Sequence, residues 1–431
     1  YLGWAHTVNH PDLTDIYKLE MNPDNPKQYK FDGQWETLAE RKVKIKVKVG
    51  PLKFGKKFKF YWSKYGATME KDGSYYSLRF AANMRIKAPE QHYWMNKARN
   101  LSEFKKALNL QYLPSFNIVY ADREGNILYL NNGLIPYRQA GFDWTQVLPG
   151  NTSKTLWGNR FHPLQDLPQI LNPPSGYVFN TNNTPFNATA PTDNLDAEKY
   201  DIRMGHIRYE NNRSTRMQAL ISQYDKLSYE DFKTVKYDWQ YPKPLKFSII
   251  TNLESLFSMD VGSDQSLAPL LKQIQFWDRK NQPSSKGAGA FCIFLHKLGD
   301  MLQAQGRLKP GNQVTPEEMK TALRQAQSHL QEFFGRTEVS LGDLQRHQRG
   351  EVDLPIGGAF DVLAAMYAEP VKKKGYFRAS QGESYILLAR FDENGPILES
   401  VNAYGSSNRE DDPHYTDQMN MFVQRNLKKM S

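Results

Sequence analysis

Between Arg41 and Val49 the chain reads RKVKIKVKV, with Lys and aliphatic residues alternating at a period of two. That period puts charges on one face of a β-strand and apolar side chains on the other. FGKKFKFYWSKYG follows as a hairpin partner. In SFNIVYADREGNILYLNNG two apolar runs flank DREGN, a loop whose Gly suits a short hairpin connection. The segment 1–192 is therefore predicted to be mostly antiparallel sheet, with GYVF (176–179) as a further strand-like run. One helix interrupts it, capped by Ser102 before EFKKAL.

From 193 to 350 the periodicity becomes helical. Ser228 followed by Asp231 reads as a helix start of the capping-box kind, and so does Thr315 with Pro316 and then Glu318. Leu323, Ala326, Leu330 and Phe333 keep helical spacing and are predicted core. Strands return in SYILLARF and ILESVNAYG, so 351–431 is expected to rejoin the first sheet. Strands, helices, then strands suit a layered sandwich with a helical lobe inserted.

Composition narrows the chemistry. Aromatic content of 13% is far from that of a disordered chain, and no apolar run is long enough to span a bilayer as a helix. The formal charge of +10 raises the question of nucleic acid. However, much of the excess sits in the alternating Lys run, which reads as a solvated strand face blunting a sheet edge. No RNP-like, helix-turn-helix or zinc-finger pattern accompanies it. Phosphate loops, strand-bound GxGxxG and HExxH are absent, and the nine His are scattered without metal spacing. SEFK, 102–105, matches SxxK in letters but opens an amphipathic helix. Cys292 is the single cysteine, inside GAGAFCIFLH, so no intrachain disulfide forms and a buried apolar thiol is expected. The chain opens on YLGWAHT with no initiator Met and no apolar leader, which reads as a cleaved or truncated precursor.

Candidate chemistry lies in FNTNNTPF, Phe179 to Phe186. Asn, Thr and Pro are ordinary turn residues. A carboxamide fixed beside a strand end can also donate an N–H to an oxygen that gains charge during acyl transfer, which is half of an oxyanion hole.

Taken with LGWAHTVNHPDLTDIYKLEM, YADREGNILYLNNGLIPYRQAGFDW and NPPSGYVFNTNNTPF, that octamer resembles the large (β) subunit of the penicillin acylase family. These are N-terminal-nucleophile amidohydrolases acting on penicillins, cephalosporins and acyl-homoserine lactones. WDRKNQPSSKGAGAFCIF, GDLQRHQRG and NAYGSSNREDDPHYTDQ extend the resemblance over nearly the whole chain. It implies an α+β fold, the four-layer αββα sandwich with antiparallel sheets. It also implies a small α subunit from the same precursor as partner, an N-acyl small molecule as substrate, and a periplasmic or secreted location. The family's nucleophile is a Ser whose own α-amine is its base; that Ser is expected upstream of Tyr1.

The resemblance also implies site residues. Asn182 matches the Asn whose side chain donates to the oxyanion, with Asn183 as alternative. Val8 supplies the partner backbone N–H. Arg213, with Arg216 as rival, matches the Arg that orients the Asn and the amine. His6, Phe116 and Asn117 match acyl-pocket positions. A structural calcium is implied at Asp12, the Thr14 carbonyl, Asp15, the Trp144 carbonyl and Asp193, a hard-cation donor set. The rival reading from another class is a non-catalytic binding protein that keeps the sandwich.

Overall fold

The structure is a computed structural model, and it describes residues 1–83 and 85–430. The chain forms two compact units, Tyr1–Arg208 and Tyr209–Ser431. The division falls at 208/209, whereas the change of periodicity had suggested boundaries at 192/193 and 350/351.

In the first unit the sheet that matters for chemistry runs, in spatial order, Leu2–Thr7, Asn117–Asp122, Ile127–Asn131, Gln169–Leu171. Every neighbour is antiparallel, and Thr7 stands opposite Asn117, which stands opposite Asn131. Side chains alternate across it. Ile118, Tyr120, Leu128 and Leu130 pack with Met95, Phe104 and Leu108 of the helices Ala88–Lys97 and Leu101–Leu108. Tyr129 and Ile170 face the other way, toward Ala188. Phe104 has no exposed surface; burying such a side chain contributes roughly 2–3 kcal/mol. The helix Ala88–Lys97 was not expected, although Pro89 at its start and Glu90 in its first turn are ordinary start signals. The second helix is capped not by Ser102 but by Asn100, whose side chain accepts from the Glu103 N–H. GYVF forms no ladder strand and belongs to a loop.

A second sheet of this unit carries the alternating Lys run. Ala39–Val49 pairs with Leu52–Trp62 in one long hairpin. The Lys face is solvated as expected, but the aliphatic face is open too: Val47 is 49% and Phe54 57% exposed.

The second unit is built on the helices Lys286–Ala304 and Pro316–Phe334, which share one apolar core with Ala268–Gln275. Both predicted capping boxes form, Ser228 with Asp231 and Thr315 with Glu318. Leu323, Ala326 and Leu330 are buried, whereas Phe333 is 38% exposed. SYILLARF and ILESVNAYG form the antiparallel pair Tyr385–Asp392 and Gly395–Asn402. The described strands from Gln345 onward pair with one another. No described helix is long and apolar enough to cross a membrane.

Candidate active site

The FNTNNTPF loop is closed by the Phe179 N–H donating to the Ala188 carbonyl at 2.8 Å. Inside it Asn183 is buried and saturated. Its Oδ1 accepts from the Thr181 N–H (3.0 Å) and Oγ1 (3.1 Å), while its Nδ2 donates to the carbonyls of Thr184 (3.2 Å) and Asn187 (2.7 Å). Asn183 thus clamps the loop and turns away from solvent. Asn182 sits at φ +61°, a left-handed conformation that Asn tolerates better than most residues. That twist sends its side chain out of the loop, where Nδ2 donates to the Val8 carbonyl at 2.8 Å. Of the two Asn positions, the geometry places 182 against Val8.

A buried carboxamide network holds this pair. Asn180 Oδ1 accepts from the Asn182 N–H (2.9 Å), from Asn117 Nδ2 (3.1 Å) and from the Thr7 hydroxyl. Asn117 also donates to Thr7 Oγ1 at 3.0 Å, and its Oδ1 accepts from the Tyr129 hydroxyl (2.9 Å) and Asn131 Nδ2 (2.7 Å). On the far side of Val8, Asn9 donates to the Asn132 carbonyl and accepts from the Phe116 N–H, both at 2.8 Å. Val8, 50% exposed, is therefore held by anchored side chains on either side of it. Asn117 was expected to line the acyl pocket. With no exposed surface, it instead lies beneath Val8 and Asn182 as part of their support. Thr7, Asn9, Asn131 and Asn180 complete the network, and the signal for them in the sequence is the density of Asn in NTNN and LNN flanking the apolar runs.

His6, on the strand beside Thr7, has its ring 5.1 Å from the ring of Phe116, which carries a strained φ of +102°. These two expected pocket residues come together. His92 joins them, its Nε2 3.3 Å from that of His6. His92 Nδ1 donates to the Ala88 carbonyl at 3.1 Å, since a carbonyl only accepts. A neutral His92 therefore accepts at Nε2 from His6. Burial holds the His6 imidazole below its ordinary pKa, and the neighbouring His92 adds to this against a backbone hydrogen bond near Asn117.

Arg213 and Arg216 belong to the second unit. Arg216 forks both Asp238 oxygens (3.0 and 2.8 Å) and reaches Gln240 Oε1 (2.9 Å), a structural bidentate pair. Arg213 donates Nε to Asp361 Oδ1 at 3.0 Å. The other Asp361 oxygen accepts from the N–H (3.0 Å) and Nδ2 (2.8 Å) of Asn212. Burial raises the Asp361 carboxyl while Arg213 pulls it back. Cys292 lies on the wall of a cavity of about 410 Å³ within this unit, and burial pushes its thiol up to about 12. A thiol so shifted stays protonated at neutral pH and is no nucleophile.

The expected calcium donors do not form a cation cage. Asp15 is buried, and both its oxygens are taken: Oδ1 by Arg138 NH2 (3.0 Å), Oδ2 by Arg138 Nε (3.3 Å) and Trp157 Nε1 (2.6 Å). Asp193 is engaged by the Ser175 N–H at 2.7 Å. Among the described residues no group of three or more His, Cys, Asp or Glu could hold a metal ion. The residues present do not fit calcium.

A family model described as Penicillin amidase matches residues 1–431. Acyl-homoserine lactone acylase PvdQ of Pseudomonas fluorescens (strain Pf0-1) is 24% identical over 481 residues, covering 99% of this chain and 59% of that protein. Aculeacin-A acylase of Actinoplanes utahensis is 22% identical over 98% of this chain and 59% of its own length. Penicillin G acylase of Escherichia coli is 29% identical over 188 residues, 43% of this chain and 22% of that protein. The solved thermostable penicillin G acylase from Alcaligenes faecalis superposes with a TM-score of 0.63 at 20% identity, covering all of this chain and 85% of that one. The chain thus spans about three fifths of the length of the curated relatives it matches along its whole extent.

Proposed function

This chain belongs to the penicillin amidase family, and from that premise we propose that it is the large subunit of an acylase cleaving the amide bond of N-acyl small molecules. The observation that carries this reading is the 2.8 Å contact between Asn182 Nδ2 and the Val8 carbonyl. It supports the reading by bringing the proposed side-chain donor beside the residue whose N–H is the proposed main-chain donor. In this reading an N-terminal Ser, encoded upstream of Tyr1, attacks the amide carbonyl carbon and passes its proton to its own α-amine. Negative charge collects on the former carbonyl oxygen, where the Val8 N–H and an Asn182 N–H hold it. The tetrahedral species collapses, the amine leaves with the proton, and water then adds to the acyl ester and frees the acid.

The relatives named for homoserine-lactone, penicillin and aculeacin substrates support an N-acyl amide as the common target. His6, Phe116 and His92 are the proposed acyl-facing set, and Arg213 the proposed orienting cation. A small α subunit completes the enzyme, the four-layer αββα sandwich is its architecture, and a periplasmic or secreted location follows from the family reading. The reading includes no calcium.

The test is amine release from a series of N-acyl homoserine lactones and phenylacetyl amides by the intact protein, expressed with its upstream segment. Turnover is expected, and Asn182→Gly is expected to lose it while keeping the melting temperature. Full activity in Asn182→Gly would overturn the oxyanion role of Asn182, and no turnover of any N-acyl compound by correctly processed protein would overturn the proposal in favour of a binding protein.

A further inference from the structure

The Asp12–Asp15 turn already contains a cation, and it belongs to the chain. The Arg138 side chain is 1% exposed. NH2 donates to the Asp12 carbonyl (2.8 Å) and Asp15 Oδ1 (3.0 Å), Nε to Asp15 Oδ2 (3.3 Å), and NH1 to the Arg203 carbonyl (3.1 Å). NH1 also lies 3.8 Å from Asp12 Oδ2. The guanidinium thus directs all three of its nitrogens at oxygens, three from the carboxylates of Asp12 and Asp15 and two from main-chain carbonyls. Hard-cation donor chemistry is present, but the donors are set at N–H···O distances, whereas calcium needs six to eight oxygens at about 2.3–2.6 Å.

The surroundings are built to keep the guanidinium there. Arg203 returns a bond, its NH1 donating to the Arg138 carbonyl at 3.1 Å. Trp157 closes the Asp15 side, and the Trp144 ring lies 5.4 Å from the guanidinium carbon. The Asp12 N–H donates to the Gly205 carbonyl at 2.8 Å. Gly205 has φ +71°, and a Cβ there would stand 2.9 Å from Asp12, so the 201–205 turn presses directly on the site.

We propose that Arg138 is the permanent counter-cation of Asp12 and Asp15, performing within the polypeptide the cross-linking that a structural calcium would provide, and that this protein neither binds nor needs calcium at that turn. Three segments far apart in sequence, 12–15, 138 and 203–205, are tied by one side chain. A calcium ion could enter only by expelling a buried guanidinium and leaving its charge unpaired, which is strongly unfavourable.

The experiment uses the intact protein, with thermal unfolding in EDTA and in millimolar calcium, and terbium luminescence as a second readout because Trp144 and Trp157 are placed to sensitise a bound lanthanide. A bound ion at one hundred times its Kd would raise the melting temperature by roughly 3 °C or more. The expected results are equal melting temperatures in the two buffers, no stoichiometric terbium signal, and a clear fall in Arg138→Ala. Should Arg138→Ala fail to fold, Arg138→Lys keeps the charge but loses the fork and is expected to melt lower than wild type. A calcium-raised melting temperature with one terbium per chain overturns the proposal, as does an unchanged melting temperature in the folded Arg138 variant.

Discussion

The Asn182 carboxamide lies 2.8 Å from the Val8 carbonyl although the two residues are 174 positions apart. One Nδ2 proton on that carbonyl fixes the plane of the amide, and with it the direction of the second N–H. A hydrogen-bond donor oriented before reaction needs no reorganisation when charge develops.

Removing that donor and removing its neighbour should therefore give opposite phenotypes. Asn182→Gly suits the φ of +61°, so stability should move by no more than about 1 kcal/mol. Its kcat should fall about 10²–10³-fold. Asn183→Ala removes its bonds to the Thr181 N–H and to the Thr184 and Asn187 carbonyls, a loss of roughly 1–3 kcal/mol. Turnover and melting temperature measured on both proteins separate the two roles, and equal behaviour would contradict the assignment.

Asn117 should behave as a support. Asn117→Ala removes its bonds to Tyr129, Asn131 and Asn180 at once, so a destabilisation of about 2–4 kcal/mol is expected in urea unfolding. At a temperature where the variant stays folded, kcat should fall while KM changes little, because Thr7 and Asn180 lose their brace and the residues facing substrate are intact. A raised KM with unchanged kcat would instead place Asn117 in the acyl pocket.

What could be read in the chain was what is local. The capping boxes at Ser228 and Thr315 and the hairpin around DREGN depend on residues within a few positions, so spacing suffices. Two legitimate cap residues, Asn100 and Ser102, lie two positions apart; Glu103 decides between them by accepting from the Arg99 N–H, one residue before Asn100. Period two in RKVKIKVKV separated the faces but carried no information on whether the aliphatic face would be covered. Resemblance singled out Val8 and Asn182. It missed the burial of Asn117, which depends on Tyr129 and Asn131 across the sheet, and the arrival of Arg138 at Asp15 from 123 residues away.

The helix Lys286–Ala304 offers a contrast within one element. A Cβ on Gly289 would stand 2.2 Å from the Val339 carbonyl, while at Gly299 nothing lies within 4 Å. Gly289→Ala must push two backbones apart and should cost about 1–3 kcal/mol. Gly299→Ala should add about 0.5–1 kcal/mol by restricting the unfolded chain and improving helix propensity. Melting temperatures moving in the same direction would refute the close helix–loop contact.

Acid should weaken the first unit through His206. Both its ring nitrogens are buried with no hydrogen-bond partner among the described residues, and the ring stands edge-on to Phe186 and Tyr200. Burial lowers its pKa from 6.5 to about 4, with His162 and Arg208 adding smaller pushes in the same direction. Between those values the unfolded chain binds the proton and the folded chain does not. The contribution of His206 is therefore complete above pH 6.5, declines as pH falls through the window, and is gone below about 4. Its ceiling is roughly 3 kcal/mol. His206→Phe keeps an aromatic ring between the same neighbours and removes the titration. Its urea midpoint should match wild type near pH 7.5 and exceed it at pH 5, with the gap widening steadily between. Parallel midpoints across that range would mean that the imidazole titrates normally in the folded protein, and the partnerless burial of its nitrogens would be wrong.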